Sequence, residues 1–109
     1  MHNPLLQMLG LCRRAQKLSI GHDACKDAVR QKKAQLCLLC ADASPRLHAE
    51  FQSLCASYDV PVYEADWSMQ TLSHSIGTRA GVITIDDSGF AGSFTRTSKQ
   101  ITSAEVKDL

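Results

Sequence analysis

Long apolar runs are missing from this chain. The longest, Leu36 to Ala41, has six residues, far below the ~20 that cross a bilayer. Membrane insertion is not expected. The first residues lack a basic stretch followed by a long apolar one, so no secretory signal is read and a cytoplasmic protein is expected. Aromatic residues make up only 6%. Trp67, Tyr58, Tyr63 and the three Phe are spaced as core or capping residues, not as a platform on which bases could stack. Catalytic signatures are missing too: there is no G-x-S-x-G, no H-E-x-x-H and no Walker loop. An enzyme is not expected, nor a cofactor.

Cysteine is present, but in a pattern that excludes its usual extracellular use. Five cysteines, an odd number in a chain without a secretory signal, argue against a disulfide framework. Cys37-Leu38-Leu39-Cys40 is a C-x-x-C match inside the apolar run. On a strand, positions three apart point to opposite faces, so the two thiols pack as small hydrophobes and do not converge on a metal. A thiol redox enzyme using Cys37 and Cys40 is kept as a distant third reading.

The 109 residues supply one domain with a modest core. Net charge is +1 overall, but residues 1–33 hold seven Lys/Arg against two Asp, while residues 34–109 hold five basic and nine acidic residues. Such a division makes a basic face on a near-neutral protein, the footprint of a nucleic-acid binder.

Periodicity gives the elements. Leu5, Met8, Leu9, Cys12 and Ala15 recur at helical spacing from about Pro4 to Gln16. Leu18-Ser19-Ile20 is a short strand, and Gly21 opens a second helix to about Lys32. Leu36 to Ala41 reads as a strand buried on both faces. Ser44 and Pro45 start a third helix carrying Leu47, Phe51, Leu54, Cys55 and Tyr58. Val60 to Tyr63 is a strand, Ser68 caps a fourth helix that Gly77 ends, and Val82 to Ile85 is the last strand. Asp42 is assigned to the start of the third helix, and Asp86-Asp87 to a solvated turn. A short segment held by Phe90 and Phe94 follows. The polar, aperiodic residues 95–109 predict a mobile tail after a single domain at 1–94. Helices alternating with strands predict an α/β protein, a three-layer α/β/α sandwich around a small mixed sheet.

The candidate site follows from the charges and one glycine. Arg13, Arg14 and Lys17 cluster at the end of the first helix, and Lys32-Lys33 closes the second. Gly21 and His22 stand where the second helix begins, the place where backbone amides can hold a phosphate.

The order of motifs resembles a known family. Leu9-Gly10-Leu11-Cys12-Arg13-Arg14-Ala15-Gln16-Lys17-Leu18 is similar to the L-G-L-A-x-R-A-G-K-L opening of the YlxQ-like bacterial branch of the kink-turn RNA-binding ribosomal proteins. Residues 34–45 resemble its A-K-L-V-L-L-A-x-D-A-S-x segment, and Val60-Pro61-Val62 its I/V-P-V strand. Residues 72–77 resemble L-G-x-A-I-G, and 85–91 resemble I-x-D-x-G-F-A.

The resemblance implies an α/β/α sandwich and non-catalytic binding of structured RNA, ribosomal or other. It places the RNA surface at Gly21 to Asp27 and Gly77 to Gly81. That adds Asp23, Ala24, Lys26, Asp27, Thr78, Arg79 and Ala80 to the candidates. The strongest kink-turn binders resemble G-x-N-E/Q-x-x-K at this helix start. Here Asp23, Ala24 and Asp27 stand at the Asn, Glu/Gln and Lys positions, and Thr78-Arg79-Ala80-Gly81 replaces an apolar loop. The expected partner is structured RNA, with or without the ribosome, and not DNA. The rival is a protein-interaction module on the same fold.

Overall fold

The computed structural model describes the backbone of residues 3–107 and the side chains of residues 3–99. The elements are α1 (Pro4–Arg14), β1 (Leu18–Ile20), α2 (His22–Arg30), β2 (Leu36–Leu39), α3 (Pro45–Ser57), β3 (Val62–Glu64), α4 (Met69–Ile76), β4 (Val82–Ile85) and α5 (Ser88–Lys107).

Local chemistry sets most helix starts. Asn3 Oδ1 accepts from the Leu5 amide at 2.9 Å and Pro4 fills the first turn of α1. Ser44 caps α3 through Leu47 N at 3.1 Å, and Ser68 caps α4 through Thr71 N at 3.1 Å. The acidic residues also cap. Asp42 Oδ1 accepts from Met69 N at 2.9 Å, so it serves α4 and not α3 as the sequence predicts. Asp87 Oδ2 accepts from Phe90 N at 2.9 Å and starts α5. Asp86 is no solvated turn residue either. It accepts from the Ser19 hydroxyl at 2.6 Å and the Thr84 hydroxyl at 2.8 Å, tying β1 to β4 and satisfying the buried Thr84.

The sheet order is β1-β4-β2-β3, with β4 antiparallel to both its neighbours and β2 parallel to β3. Side chains alternate across it. Leu36, Leu38, Ile83 and Ile85 pack with Leu5, Leu9 and Cys12 of α1, Leu72 and Ile76 of α4, and Phe94 of α5. Cys37, Leu39 and Val82 pack on the other face with Cys25 and Val29 of α2 and Phe51 and Cys55 of α3. Two helical layers therefore enclose a mixed four-stranded sheet, the sandwich the alternation predicts.

The chain end differs. A 20-residue helix, α5, continues through Lys107 where the sequence predicts a short segment and a polar tail. Its hydroxyls fold back onto the helix: Thr95 Oγ1 donates to Ala91 O at 2.9 Å and Ser98 Oγ to Thr95 O at 2.9 Å. The helix thus runs on through residues that show no apolar period. The side chains of residues 100–109, and all of 108 and 109, lie outside the described residues.

Candidate nucleic-acid interface

Strand register brings the two segments of the candidate interface together. β1 ends at Ile20 opposite Ile83, so Gly21 emerges beside the start of β4. The Gly21 amide donates to Val82 O at 3.0 Å, and the Cys25 thiol donates to the same carbonyl at 3.6 Å. The loop before β4 is held from the other side. Cys40 N donates to Gly81 O at 2.9 Å and Cys40 Sγ to Ala80 O at 3.5 Å. A side chain at Gly81 would collide with Leu47 Cδ2 at 2.9 Å. The loop end therefore lies on the start of α3, leaving Thr78 and Arg79 exposed at its tip. Ala80 is a different case: it is buried in the core and offers its neighbours' positions, not its own side chain, to a ligand.

Gly21 is the N-cap of α2 at φ 93°, a left-handed conformation that favours glycine, and no side chain caps the helix. Its first-turn amides are thus left for a ligand or for water. Around them stand Asp23, Asp27 and Glu50, carboxylates that oppose a phosphate. His22 sits between two of them. One ring nitrogen is 2.8 Å from Asp23 Oδ1 and the other 2.8 Å from Glu50 Oε2, with the ring edge-on to Phe51. Hydrogen bonds to Asp23 and then Glu50 raise the His22 pKa above its ordinary 6.5, and the bond to His22 lowers that of Glu50. Lys26 Nζ lies 3.8 Å from Glu50 as well. Glu50, from α3, is absent from the sequence-based candidates. It lies 28 residues from His22, and no local spacing announces the pairing.

The other candidates are dispersed. Arg13 Nε donates to Ile76 O at 3.2 Å, so part of this guanidinium caps the end of α4 at the root of the loop. Arg14 lies beside it, exposed. Lys17, Lys32 and Lys33 sit at the far end of the sheet, by Ile85 and not by Val82. There the Asp86 amide donates to Lys17 O at 2.8 Å, and the Gln35 amide to Ile85 O at 2.7 Å. They share a molecule with the α2 N-terminus, not a patch.

The thiols are placed as expected for packing. Cys37 and Cys40 are both buried, on opposite faces of the sheet. Burial pushes the Cys12 and Cys40 thiols up to about 11 and Cys25 to about 12. The adjoining Cys55 thiol and burial raise Cys37 as well. Neutral thiols are poor nucleophiles and poor metal ligands. Among the described residues, no group of three or more His, Cys, Asp or Glu could hold a metal ion.

A sandwich whose second helix opens bare beside the loop before β4 can be compared with known proteins. The model of the ribosomal protein L7Ae/L30e/S12e/Gadd45 family matches residues 4–94. The chain belongs to this family. It is 38% identical over 85 residues to RNA-binding protein YlxQ of Bacillus subtilis, covering 77% of this chain and 84% of that protein. Against RNA-binding protein YlxQ of Enterococcus faecium, identity is 30% over 86 residues, covering 79% and 82%. Among solved structures, a Bacillus halodurans protein of unknown function superposes with TM-score 0.83 at 29% identity, over 87% of this chain and 96% of that one. The Giardia lamblia 15.5kD RNA binding protein shares the fold, with TM-score 0.75 at 17% identity over 94% and 92%.

Proposed function

We propose that this chain is a non-catalytic protein that binds structured RNA, as the relatives named YlxQ bind RNA, acting in the cytoplasm with the ribosome or another structured RNA as its partner. The observation that carries this reading is the uncapped N-terminus of α2 at Gly21, held by the Gly21 to Val82 hydrogen bond at the end of β4 into which the exposed Thr78-Arg79 loop runs. Backbone amides and the α2 dipole take a phosphate there, and Arg79 adds a charge that can move to meet it. Kink-turn recognition belongs to the same proposal. Asp23, Ala24 and Asp27 weaken it, because they supply neither the amide nor the cation of the strong binders.

The rival protein-interaction module is favoured by the same three carboxylates, Asp23, Asp27 and Glu50, around the helix start. Crosslinking in living cells followed by sequencing of bound RNA decides between them. The RNA reading expects recovered RNA joined to peptides from residues 21–27 and 77–81. Recovery of protein partners joined at Asp23 and Asp27, without RNA, supports the rival.

A further inference from the structure

A groove of about 700 Å³ runs between α1 and α4, lined in part by Leu6, Gly10, Leu11, Arg13, Arg14 and Ile76. Gly10 makes it: a Cβ there would stand 3.2 Å from Ser75 O, so the two helices touch backbone to side-chain-free backbone. Leu11 is 51% exposed and lines it. Arg13 lines the groove and donates from Nε to Ile76 O at 3.2 Å, a bond that restrains the guanidinium and does not use its two terminal nitrogens. Among the described residues, no carboxylate lines the groove. Gly77 is part of its lining, and from it the loop of Thr78 to Gly81 leads into β4 at Val82, whose carbonyl accepts from the Gly21 amide.

We propose that this groove binds an unpaired stretch of RNA that continues from the structured element at α2, with a base on Leu11 and phosphates on Arg13 and Arg14. The inference rests on the RNA reading above. Duplex RNA presents phosphates and hydroxyls but no free base face, so an exposed apolar side chain beside two arginines suits an unstacked nucleotide. A restrained guanidinium supplies both a surface for a base and charge for the backbone. The loop that follows Gly77 joins the groove to the end of β4 beside Gly21, so one strand running along that loop can reach both. Four residues separate Gly77 from Val82, five chain steps that span at most about 18 Å.

The test uses a kink-turn RNA with blunt ends, the same RNA carrying a short single-stranded oligouridine extension at either end, and free oligouridylate. The extension is expected to tighten binding about tenfold, the scale of one base contact. Leu11→Glu, at an exposed position that leaves the core intact, is expected to abolish that gain without altering binding of the blunt RNA. Free oligouridylate is expected to shift the backbone amide resonances of Gly10, Leu11 and Gly77, and a Glu-rich amphipathic peptide is not. An extension that adds nothing, or a gain that survives Leu11→Glu, overturns the proposal. So does a groove that responds to the acidic peptide and not to oligouridylate. If the blunt RNA fails to bind while oligouridylate still shifts the groove, the structured-RNA reading falls and the groove stands.

Discussion

Glycine at three helix ends should stabilise this protein. α1, α2 and α3 each finish with the paired backbone bonds of a left-handed cap. Lys17 N donates to Cys12 O at 2.9 Å and Gln16 N to Arg13 O at 3.1 Å. Lys33 N donates to Ala28 O at 2.9 Å and Lys32 N to Val29 O at 3.1 Å. Val60 N donates to Cys55 O at 2.9 Å and Asp59 N to Ala56 O at 3.4 Å. The residues at the turn have φ of 61° at Gln16, 62° at Lys32 and 58° at Asp59. A side chain costs about 1–2 kcal/mol in that region. Glycine returns about 0.5–1 kcal/mol of this as extra freedom of the unfolded chain. Each of Gln16→Gly, Lys32→Gly and Asp59→Gly should therefore gain about 0.5–1 kcal/mol, with Asp59 lowest because Asp tolerates the conformation best.

The three sites lie on separate helices, so the gains should add to roughly 1.5–2.5 kcal/mol. In a domain of this size that raises Tm by roughly 6–15 °C. Urea titration with an unchanged slope, checked by calorimetry, measures it. Gly77→Ala, at φ 80°, should move stability the other way. A triple variant no more stable than the parent, at the same slope, would refute the reasoning.

Three further outcomes follow from the site and the core. Ala24→Glu with Asp27→Lys should gain about 1–3 kcal/mol on a kink-turn RNA and less on an unstructured RNA of equal length; equal gains on both would mean only charge was added. The His22 pKa is raised, so its contribution to stability is complete below pH 6.5 and is lost as pH rises through the folded value. Glu50, whose pKa is lowered, contributes above pH 4.5 and loses that as pH falls. His22→Gln should flatten the upper limb of the stability profile, and the same variant should remove a loss of RNA affinity over that range; an unchanged profile contradicts the pairing. Native labelling of Cys37 and Cys40 should be slow, because both are buried and Cys40 is raised to about 11; rapid labelling or stoichiometric zinc would revive thiol chemistry.

The sandwich was legible because each strand announces its faces. Leu36 and Leu38 against Cys37 and Leu39 can only be buried on both sides, which demands helices above and below the sheet. Ser44, Pro45, Ser68 and Gly77 mark helix ends by chemistry that acts within a few residues. What stayed hidden acts over long separations or through backbone alone. Arg13 meets Ile76, and His22 meets Glu50, only because the sheet register brings their helices together. The left-handed ends at Gln16, Lys32 and Asp59 carry no glycine to mark them. α5 lacks an apolar period beyond Phe94, so its continuation to Lys107 has no sequence signal. For the candidate site, Gly21 lies against Val82, at the end of β4 that the Thr78-Arg79 loop runs into. Charge alone groups Lys17, Lys32 and Lys33 with them, and charge says nothing about which end of a sheet a residue occupies.

In the proposed complex RNA docks on Gly21 and on the exposed Thr78-Arg79 loop that runs into β4 beside it. Equilibrium binding of a kink-turn RNA to the wild-type protein and to Arg79→Glu, each at two salt concentrations, tests it most directly. Arg79 is exposed, so the variant should fold as the parent does. The account predicts that the wild-type protein binds, that Arg79→Glu weakens binding about tenfold or more, and that the salt slope falls by about one phosphate. Equal affinities and equal slopes would contradict it.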